Sequence, residues 1–112
     1  LEVIDKIQHN NKNSIIIVQS DHGYDFEIDY ENPSDLNLKQ RLSNLNAIYM
    51  PNNEKNILYQ GITPVNVFRV IFNNYFGTSY EILPDRVYYS PYGDYSIYKN
   101  IEFQDITKII LN

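Results

Sequence analysis

The chain has 112 residues, of which 43% are hydrophobic and 21% are charged, and these ordinary values predict one modest globular domain rather than a disordered segment. Its net charge of −5, with nine scattered Lys and Arg residues, argues against a nucleic-acid partner. Cysteine is absent, which excludes disulfides, thiolate metal sites and a cysteine nucleophile.

The first half of the chain predicts a helix, a strand and a long loop. Apolar residues have helical spacing over residues 1–8, and a polar run then ends this helix. Residues 14–19 predict a strand whose four consecutive β-branched residues indicate burial on both faces, as in a parallel sheet between helices. Residues 23–40 mix acids, Asn and Pro with few apolar residues, and they predict a long surface loop.

The middle of the chain predicts a short strand over residues 45–50 and a well-capped helix near 63–76. Thr63 suits the N-cap position, Pro64 the first helical position and Gly77 a left-handed stop. Helical spacing predicts one core-facing apolar side and an opposite polar side. The apolar side consists of Val65, Phe68, Ile71, Phe72, Tyr75 and Phe76, and the polar side of Asn66, Arg69 and Asn73.

The last part of the chain predicts a hairpin followed by a short helix. Residues 87–89 and 95–98 have the composition of strands and flank a four-residue turn. Residues 101–103 extend this pairing, and Asp105 suits the cap of a helix that runs through residue 111. Together with the earlier elements, this order predicts an α/β fold.

Asp21 and His22 are adjacent at the end of the apolar strand, where the chain enters a turn. In open α/β sheets, ligands bind at the carboxyl ends of strands, so this pair is suited to form half of a metal site. A carboxylate oxygen with an imidazole nitrogen favours zinc or manganese. A complete site needs three or four ligands, and the alternative interpretation is a polar turn after a strand.

No other group of residues predicts comparable chemistry. Acids alternate with other residues after the pair, at Asp25, Glu27, Asp29 and Glu31, but this pattern is more typical of a solvated loop or edge strand than of a calcium loop. His9 lies in a predicted surface turn and is not expected to be a ligand. The chain has no Gly-x-Ser-x-Gly nucleophile motif and no phosphate-binding glycine loop.

The residues around the Asp-His pair resemble a known family. The sequence Ile-Ile-Ile-Val-Gln-Ser-Asp-His-Gly, residues 15–23, resembles the C-terminal metal-binding motif of the sulfatase-like branch of the alkaline phosphatase superfamily. Four later segments are similar, in the same order, to a subgroup of membrane-anchored sulfatase-like proteins of unassigned substrate. These segments are residues 41–51, 63–69, 74–77 and 83–86.

The resemblance implies that residues 1–112 form a single unit, the C-terminal portion of an α/β/α sandwich in a larger sulfatase-like catalytic domain. In that family the Asp and His coordinate a divalent metal, so Asp21 and His22 are the expected ligands of zinc or manganese, with magnesium and calcium left open. The nucleophile and at least one more acidic ligand lie far upstream in the family. No catalytic residue is therefore expected in this chain.

The same resemblance implies partners and a location. The expected substrate is a phosphate or sulfate ester, and the parent is expected to be a metal-dependent hydrolase or phosphotransferase. The N-terminal remainder of the same protein would complete the site, and upstream segments would anchor it outside the cytoplasm. Because the chain opens at Leu1 without a Met, we expect it to be a piece of a larger protein. Since the resemblance places the nucleophile and the remaining ligands upstream, we expect the piece to be inactive alone.

The alternative function is that of a non-catalytic α/β interaction module that retains part of the fold. In that case tyrosines would form a recognition surface. A carbohydrate-binding domain is less favoured because alternating strand patterns are sparse. An exposed apolar patch of several hundred Å² would favour an incomplete domain over an autonomous module. The tyrosines concerned are Tyr49, Tyr59, Tyr88, Tyr89, Tyr92 and Tyr98.

Overall fold

A computed structural model of the protein describes residues 2–52, 57–91 and 102–111. These residues form helices and two small antiparallel sheets, which confirms the predicted α/β class at this coarse level. Among the helices described, none is long and apolar enough to cross a membrane. In chain order the elements are α1 Glu2–Asn10, β1 Ile16–Gln19, α2 Asp35–Leu42, β2 Asn46–Tyr49, α3 Pro64–Tyr75, β3 Tyr88–Tyr89, β4 Gln104–Asp105 and α4 Thr107–Ile110.

The strand before the Asp-His pair lies in an antiparallel sheet, so the predicted parallel sheet is wrong. Within the described residues β1 pairs only with β2, and Ile17 lies opposite Ile48. Successive side chains of a strand point to opposite faces. Ile15 and Ile17 are half-buried and pack against a buried cluster, whereas Val18 is exposed, so the predicted burial of both faces is not found.

The predicted loop over residues 23–40 contains a helix, α2, in its last part. A capping box begins it: the Asn37 N–H donates to the Ser34 hydroxyl and the Ser34 N–H donates to the Asn37 side chain, both at 3.2 Å. The sequence did not show this box because Asn replaces the usual Glu or Gln. Leu38 anchors α2 in the helix cluster, which is formed by buried Leu38, Tyr89 and Ile106.

The helix predicted near 63–76 is present as α3, but its buried side differs from the prediction. The predicted core row of Val65, Phe68, Phe72 and Phe76 is 40–64% exposed. The buried residues are Asn66, Val67, Val70 and Ile71. Of these, the pattern placed only Ile71 on the core-facing side, and it assigned Asn66 to the polar side. Val67 and Ile71 join Met50 in the sheet cluster, against which Ile17 and Ile48 pack.

The face of α3 is selected by a polar network around Asn66, which is 0% exposed. The Asn66 side chain donates to the Leu83 carbonyl at 2.7 Å and accepts the Leu83 N–H at 3.0 Å. It also donates to Asp85 Oδ1 at 3.0 Å, and Asp85 accepts the Thr63 N–H and hydroxyl at 2.6 and 2.7 Å. Thr63 is the N-cap residue, as predicted, but its hydroxyl serves Asp85 and makes no side-chain cap bond. Burial of Asn66 is tolerated because its hydrogen-bonding groups are paired, which offsets the cost of removing them from water.

The ends of the C-terminal elements follow the prediction in part. Gly77 has a φ of +67°, which confirms the left-handed stop after α3. β3 pairs with β4, so Tyr89 lies opposite Gln104. The predicted strand at residues 95–98 lies outside the described residues. Asp105 accepts the Thr107 N–H at 3.0 Å, but the N-cap residue of α4 is Ile106, so the predicted cap at Asp105 is wrong. α4 is a single turn that ends at Ile110.

The sequence pattern placed both Ile71 and Phe72 on the core-facing side of α3, but the observed orientation of the helix predicts different outcomes for these two neighbours. Ile71→Ala should cost about 3 kcal/mol of unfolding free energy because Ile71 is 3% exposed in the sheet cluster. Phe72→Ala should cost about 1 kcal/mol, since its ring is 40% exposed and contacts mainly other exposed rings. Urea denaturation of both variants measures the difference, and a larger loss for Phe72→Ala would contradict this orientation of α3.

The Asp85 network predicts that stability falls in acid. Burial raises the pKa of Asp85, but hydrogen bonds from Tyr59, Thr63 and Asn66 outweigh it and lower the pKa to about 2. Because the folded pKa lies below the unfolded value of about 3.9, the stabilisation is complete above that value and is lost as pH falls from about 4 to 2. We expect a loss of about 1–2 kcal/mol after allowing for solvent screening.

Asp85→Asn is the control because its side chain has the same shape and no charge. Denaturant unfolding between pH 2 and 7 should show a variant that is less stable than the native chain at pH 7. The stability difference between the two proteins should shrink as pH falls through this window. A difference that does not change with pH would show that Asp85 is not held ionised by its neighbours.

Candidate metal centre

Backbone contacts between β1 and β2 fix the start of the turn that carries the Asp-His pair. The Ser20 N–H donates to the Leu45 carbonyl at 3.0 Å, and the Leu45 N–H donates to the Ser20 hydroxyl at 2.9 Å. The Asn44 amide donates to the Ser20 carbonyl at 3.0 Å. These bonds extend the pairing of the strands by one residue. Asp21 and His22 therefore leave the sheet from a fixed position at the carboxyl end of β1, as the sequence predicted.

Gly23 lets the turn approach the C-terminal end of α2. Its N–H donates to the Arg41 carbonyl. A Cβ atom at this position would overlap the Gln40 carbonyl oxygen and would lie 2.7 Å from the Ser43 carbonyl oxygen. Both obstacles are backbone atoms, which cannot rotate away as a side chain can. Position 23 requires glycine because the backbone of α2 lies too close for a side chain. Gly23 does not have a positive φ, unlike Gly77.

The His22 ring is held in one tautomer by a backbone carbonyl. Nδ1 lies 2.7 Å from the Gly23 oxygen, and because a carbonyl can only accept, Nδ1 carries the proton. In the neutral ring Nε2 then has a free lone pair. Nε2 lies 3.6 Å from Asp21 Oδ2, while Asp21 Oδ1 accepts the His22 N–H at 3.0 Å. The imidazole is half-buried and the Asp21 carboxylate is exposed.

This donor pair fits two positions of a metal site. Ligand atoms about 2.0–2.1 Å from a tetrahedral zinc ion lie about 3.4 Å apart, close to the 3.6 Å between Nε2 and Oδ2. Ligating histidines also donate their other ring N–H to a carbonyl or carboxylate, as Nδ1 does here. Within the described ranges, no group of three or more His, Cys, Asp or Glu residues is placed to hold a metal ion. Asp21 and His22 are thus a two-donor fragment of a site.

A carboxylate that the sequence analysis assigned to a solvated loop lies beside this pair. Asp25 Oδ2 forms an ion pair with Arg41, accepts the Tyr30 hydroxyl at 3.1 Å and lies 3.8 Å from His22 Nδ1. The Arg41 guanidinium also lies over the Tyr30 ring, 5.4 Å from its centroid. Burial raises the pKa of Asp25, but Tyr30, His22 and Arg41 together hold it below its ordinary value.

Among the other acids of the alternating run, Asp29 has a structural role in the loop. Asp29 Oδ1 accepts the N–H groups of Glu31 and Asn32 at 3.0 and 3.2 Å, which stabilises a turn. Glu27 is exposed and has a φ of +67°. His9 lies in the last turn of α1 rather than in the predicted surface turn. The alternation therefore reflects local turn geometry at Asp29 and a tertiary ion pair at Asp25.

The tyrosines proposed as a recognition surface have different environments. Tyr89 is buried in the helix cluster and its hydroxyl donates to the Tyr30 carbonyl at 2.6 Å, so it cannot serve such a surface. Tyr59 donates to Asp85 Oδ2 at 2.6 Å, and this hydrogen bond raises its pKa. Tyr49 and Tyr88 are exposed. The remaining two, at positions 92 and 98, lie outside the described residues.

Gly23→Ala should disturb the position of His22 and destabilise the chain by about 2 kcal/mol, because the added methyl meets two fixed carbonyl groups. Gly77→Ala is the matched control: nothing lies near its added Cβ, and only its positive φ opposes a side chain, at about 1 kcal/mol. Denaturation and the NMR shifts of the His22 ring measure both effects. Unchanged His22 shifts in Gly23→Ala would contradict the close approach.

Comparison of the chain with protein-family models, with curated proteins and with solved structures finds no match.

Proposed function

We propose that this chain is the metal-binding C-terminal segment of a phosphate- or sulfate-ester hydrolase or transferase, with Asp21 and His22 as two ligands of one divalent ion. The observation that carries the proposal is the orientation of His22. Its Nδ1–H is bound to the Gly23 carbonyl, and its free Nε2 faces Asp21 Oδ2 at 3.6 Å. Zinc or manganese suits this mixed donor pair best, with magnesium or calcium as alternatives.

The two residues have different tasks in this proposal. Asp21 supplies negative charge to hold the cation, and His22 supplies a neutral ring nitrogen as a ligand. When bound, a divalent cation stabilises the negative charge that develops on the oxygens of a transferred phosphoryl or sulfuryl group. The remaining ligands and the nucleophile are assigned to the N-terminal remainder of the same protein.

The apolar surface of the chain supports the proposal that it is part of a larger α/β/α sandwich. α3 buries one apolar side and exposes another, whereas a helix that is apolar on both sides is normally enclosed. The described core consists of two small clusters. The radius of gyration is 17.4 Å, and a compact domain of this length has about 13 Å. By the resemblance, we assign the parent an anchor in upstream segments and an extracytoplasmic site.

The exposed aromatic side of α3 also favours the second candidate, a non-catalytic interaction module. Phe68, Phe72 and Phe76 form a continuous row with ring centroids 5.6–6.4 Å apart, and Tyr80 contacts Phe72 at 6.2 Å. Such a row would serve a partner protein equally well. The two functions differ in what they require of Asp21 and His22, since only the metal site needs both side chains.

Titration with Zn²⁺ and Mn²⁺, followed by NMR of the ¹⁵N-labelled chain, tests the metal site. Because two protein donors are available, we expect weak binding, with a dissociation constant on the order of 1 mM. Mn²⁺ should broaden the resonances of residues 20–24 selectively. His22→Ala and Asp21→Asn should abolish this broadening, whereas His9→Ala should preserve it because His9 is exposed on α1.

Two outcomes would overturn the proposal. Equal broadening in His22→Ala and the native chain would remove His22 as a ligand. Tight stoichiometric binding by these 112 residues would show that no ligands are missing. The chain alone should not hydrolyse aryl phosphate or aryl sulfate esters, and Asp21→Asn in the longer protein should abolish its turnover. Retained turnover in that variant would favour the interaction module.

A further inference from the structure

We propose that the outer edge of β1, the edge that faces away from β2, pairs with the same edge of a second copy of this chain. The two copies then share one antiparallel sheet with the strand order β2-β1-β1-β2. This inference goes beyond the proposed metal function, because it uses backbone groups of β1 and none of the proposed metal ligands. Either inference can therefore fail without the other.

The register of the β1–β2 pair shows which backbone groups of β1 face outward. In an antiparallel pair every second residue exchanges hydrogen bonds with its partner, and the residues between them point their N–H and carbonyl groups away. The Ser20 N–H donates to the Leu45 carbonyl in continuation of the strand register. Ile17 and Gln19 therefore direct their backbone groups to the outer edge. Among the described residues, none forms a hydrogen bond with these outward groups.

The outer edge of β1 lacks the features that normally protect an exposed strand, which are charged side chains, Pro and bulges. Residues 14–20, Ser-Ile-Ile-Ile-Val-Gln-Ser, contain no charge, Pro or Gly, and four of them are β-branched and favour strands. β2 is less suited to pairing, because Asn46 and Ala47 are poor strand formers and Pro51 follows the strand closely. The edge of β1 is thus the one open to addition of a strand.

The edge of β1 is complementary to itself, which selects a second copy as its occupant. A twofold axis through Ile17 and perpendicular to the sheet places the two Ile17 residues opposite each other, with their outward groups in position to exchange hydrogen bonds. Ile16 then lies opposite Val18 of the second copy, and Ser14 opposite Ser20. Such an axis preserves the faces of the sheet, so both copies keep their buried clusters on the same side.

Charges beyond the two ends of β1 favour the antiparallel arrangement. Lys12 is exposed before the strand, and Asp21 is exposed after it. Antiparallel pairing brings the Lys12 end of each copy beside the Asp21 end of the other, and symmetry repeats this contact. The net charge of −5 opposes association of two copies in general. At this edge, however, the groups that meet are uncharged or of opposite sign.

Amide hydrogen exchange of the native chain, measured by NMR at a low and a high protein concentration, tests the pairing. Ile16 and Val18 donate to β2 and should be protected at both concentrations. The outward amides of Ile17 and Gln19 should exchange rapidly in the dilute sample and about tenfold more slowly in the concentrated one. Sedimentation equilibrium should show a dimer in the concentrated sample. Outward amides that exchange equally at both concentrations, or a monomer throughout, would overturn the proposal.

Two proline variants separate the two edges of the sheet. Gln19→Pro removes an N–H that faces Ile15 of the second copy, so self-association should weaken about tenfold. Asn46→Pro is the matched control, because Asn46 lies directly opposite Gln19 and its N–H points to the outer edge of β2. Phe72→Ala tests the aromatic side of α3. Association that survives Gln19→Pro but is lost in either of the other variants would place the interface elsewhere and contradict self-pairing of β1.

A mixture of isotope-labelled and unlabelled native chains keeps the test decisive if Gln19→Pro loses its fold. Ile16 of one copy and Val18 of the other form a non-hydrogen-bonded pair with Cα atoms about 4.5 Å apart, so their Hα protons should give an intermolecular NOE. Intermolecular NOEs between phenylalanine rings in place of this one would reject the proposed interface. Outward amides that become protected only when a different polypeptide is added would assign the edge to that polypeptide and reject the second copy.

Discussion

The close approach of the chain after β1 to the end of α2 is the constraint on which the site depends. Gly23 donates to the Arg41 carbonyl at a separation that excludes any side chain. α2 is fixed in turn by Leu38 in the helix cluster, where it meets Tyr89 and Ile106. Contacts therefore connect Ile106, near the C-terminal end, through α2 and Gly23 to the His22 ring. The site is local in sequence, but its geometry is set by distant segments.

The sequence predicted those features that depend on interactions between residues close together in the chain. Thr63, Pro64 and Gly77 located α3 because capping and left-handed backbone preferences act within one turn of a helix. The position of Asp21 and His22 after a strand was predictable for the same reason. α2 was missed because its capping box uses Asn37 and its apolar residues are few.

Apart from α2, the features that were missed depend on contacts between residues far apart in the chain. The ion pair of Asp25 joins residues 16 positions apart, and no periodic pattern in the sequence encodes it. The buried side of α3 was predicted correctly at Ile71 but wrongly for the row of large aromatics, which a count of apolar residues favours. Asn66 reverses that choice through partners in residues 83–85, which the helical pattern does not include. The face of β1 that packs against the sheet cluster likewise depends on the antiparallel partner strand.

Carboxylates hold several connecting segments of this acidic chain in place. Asp85 joins the segment before β3 to the start of α3, and Asp25 joins the turn after β1 to α2. Asp105 binds Arg86 at 3.3 Å and the Thr107 N–H at 3.0 Å. Each has a lowered pKa, because its neighbours favour the ionised form. Charge-assisted hydrogen bonds thus stabilise the conformation of segments that contain few apolar residues.

The buried amide of α3 has a consequence for the uniqueness of the fold. A helix with two apolar sides could be inserted in either of two rotations about its axis, and hydrophobic burial alone would distinguish them poorly. Only one rotation gives Asn66 its partners at Leu83 and Asp85. The other would bury larger rings but lose those bonds. The hydrogen bonds of Asn66 thereby select one rotation of α3 about its axis. In this rotation the aromatic side of α3 faces outward, and the burial of its rings is lost.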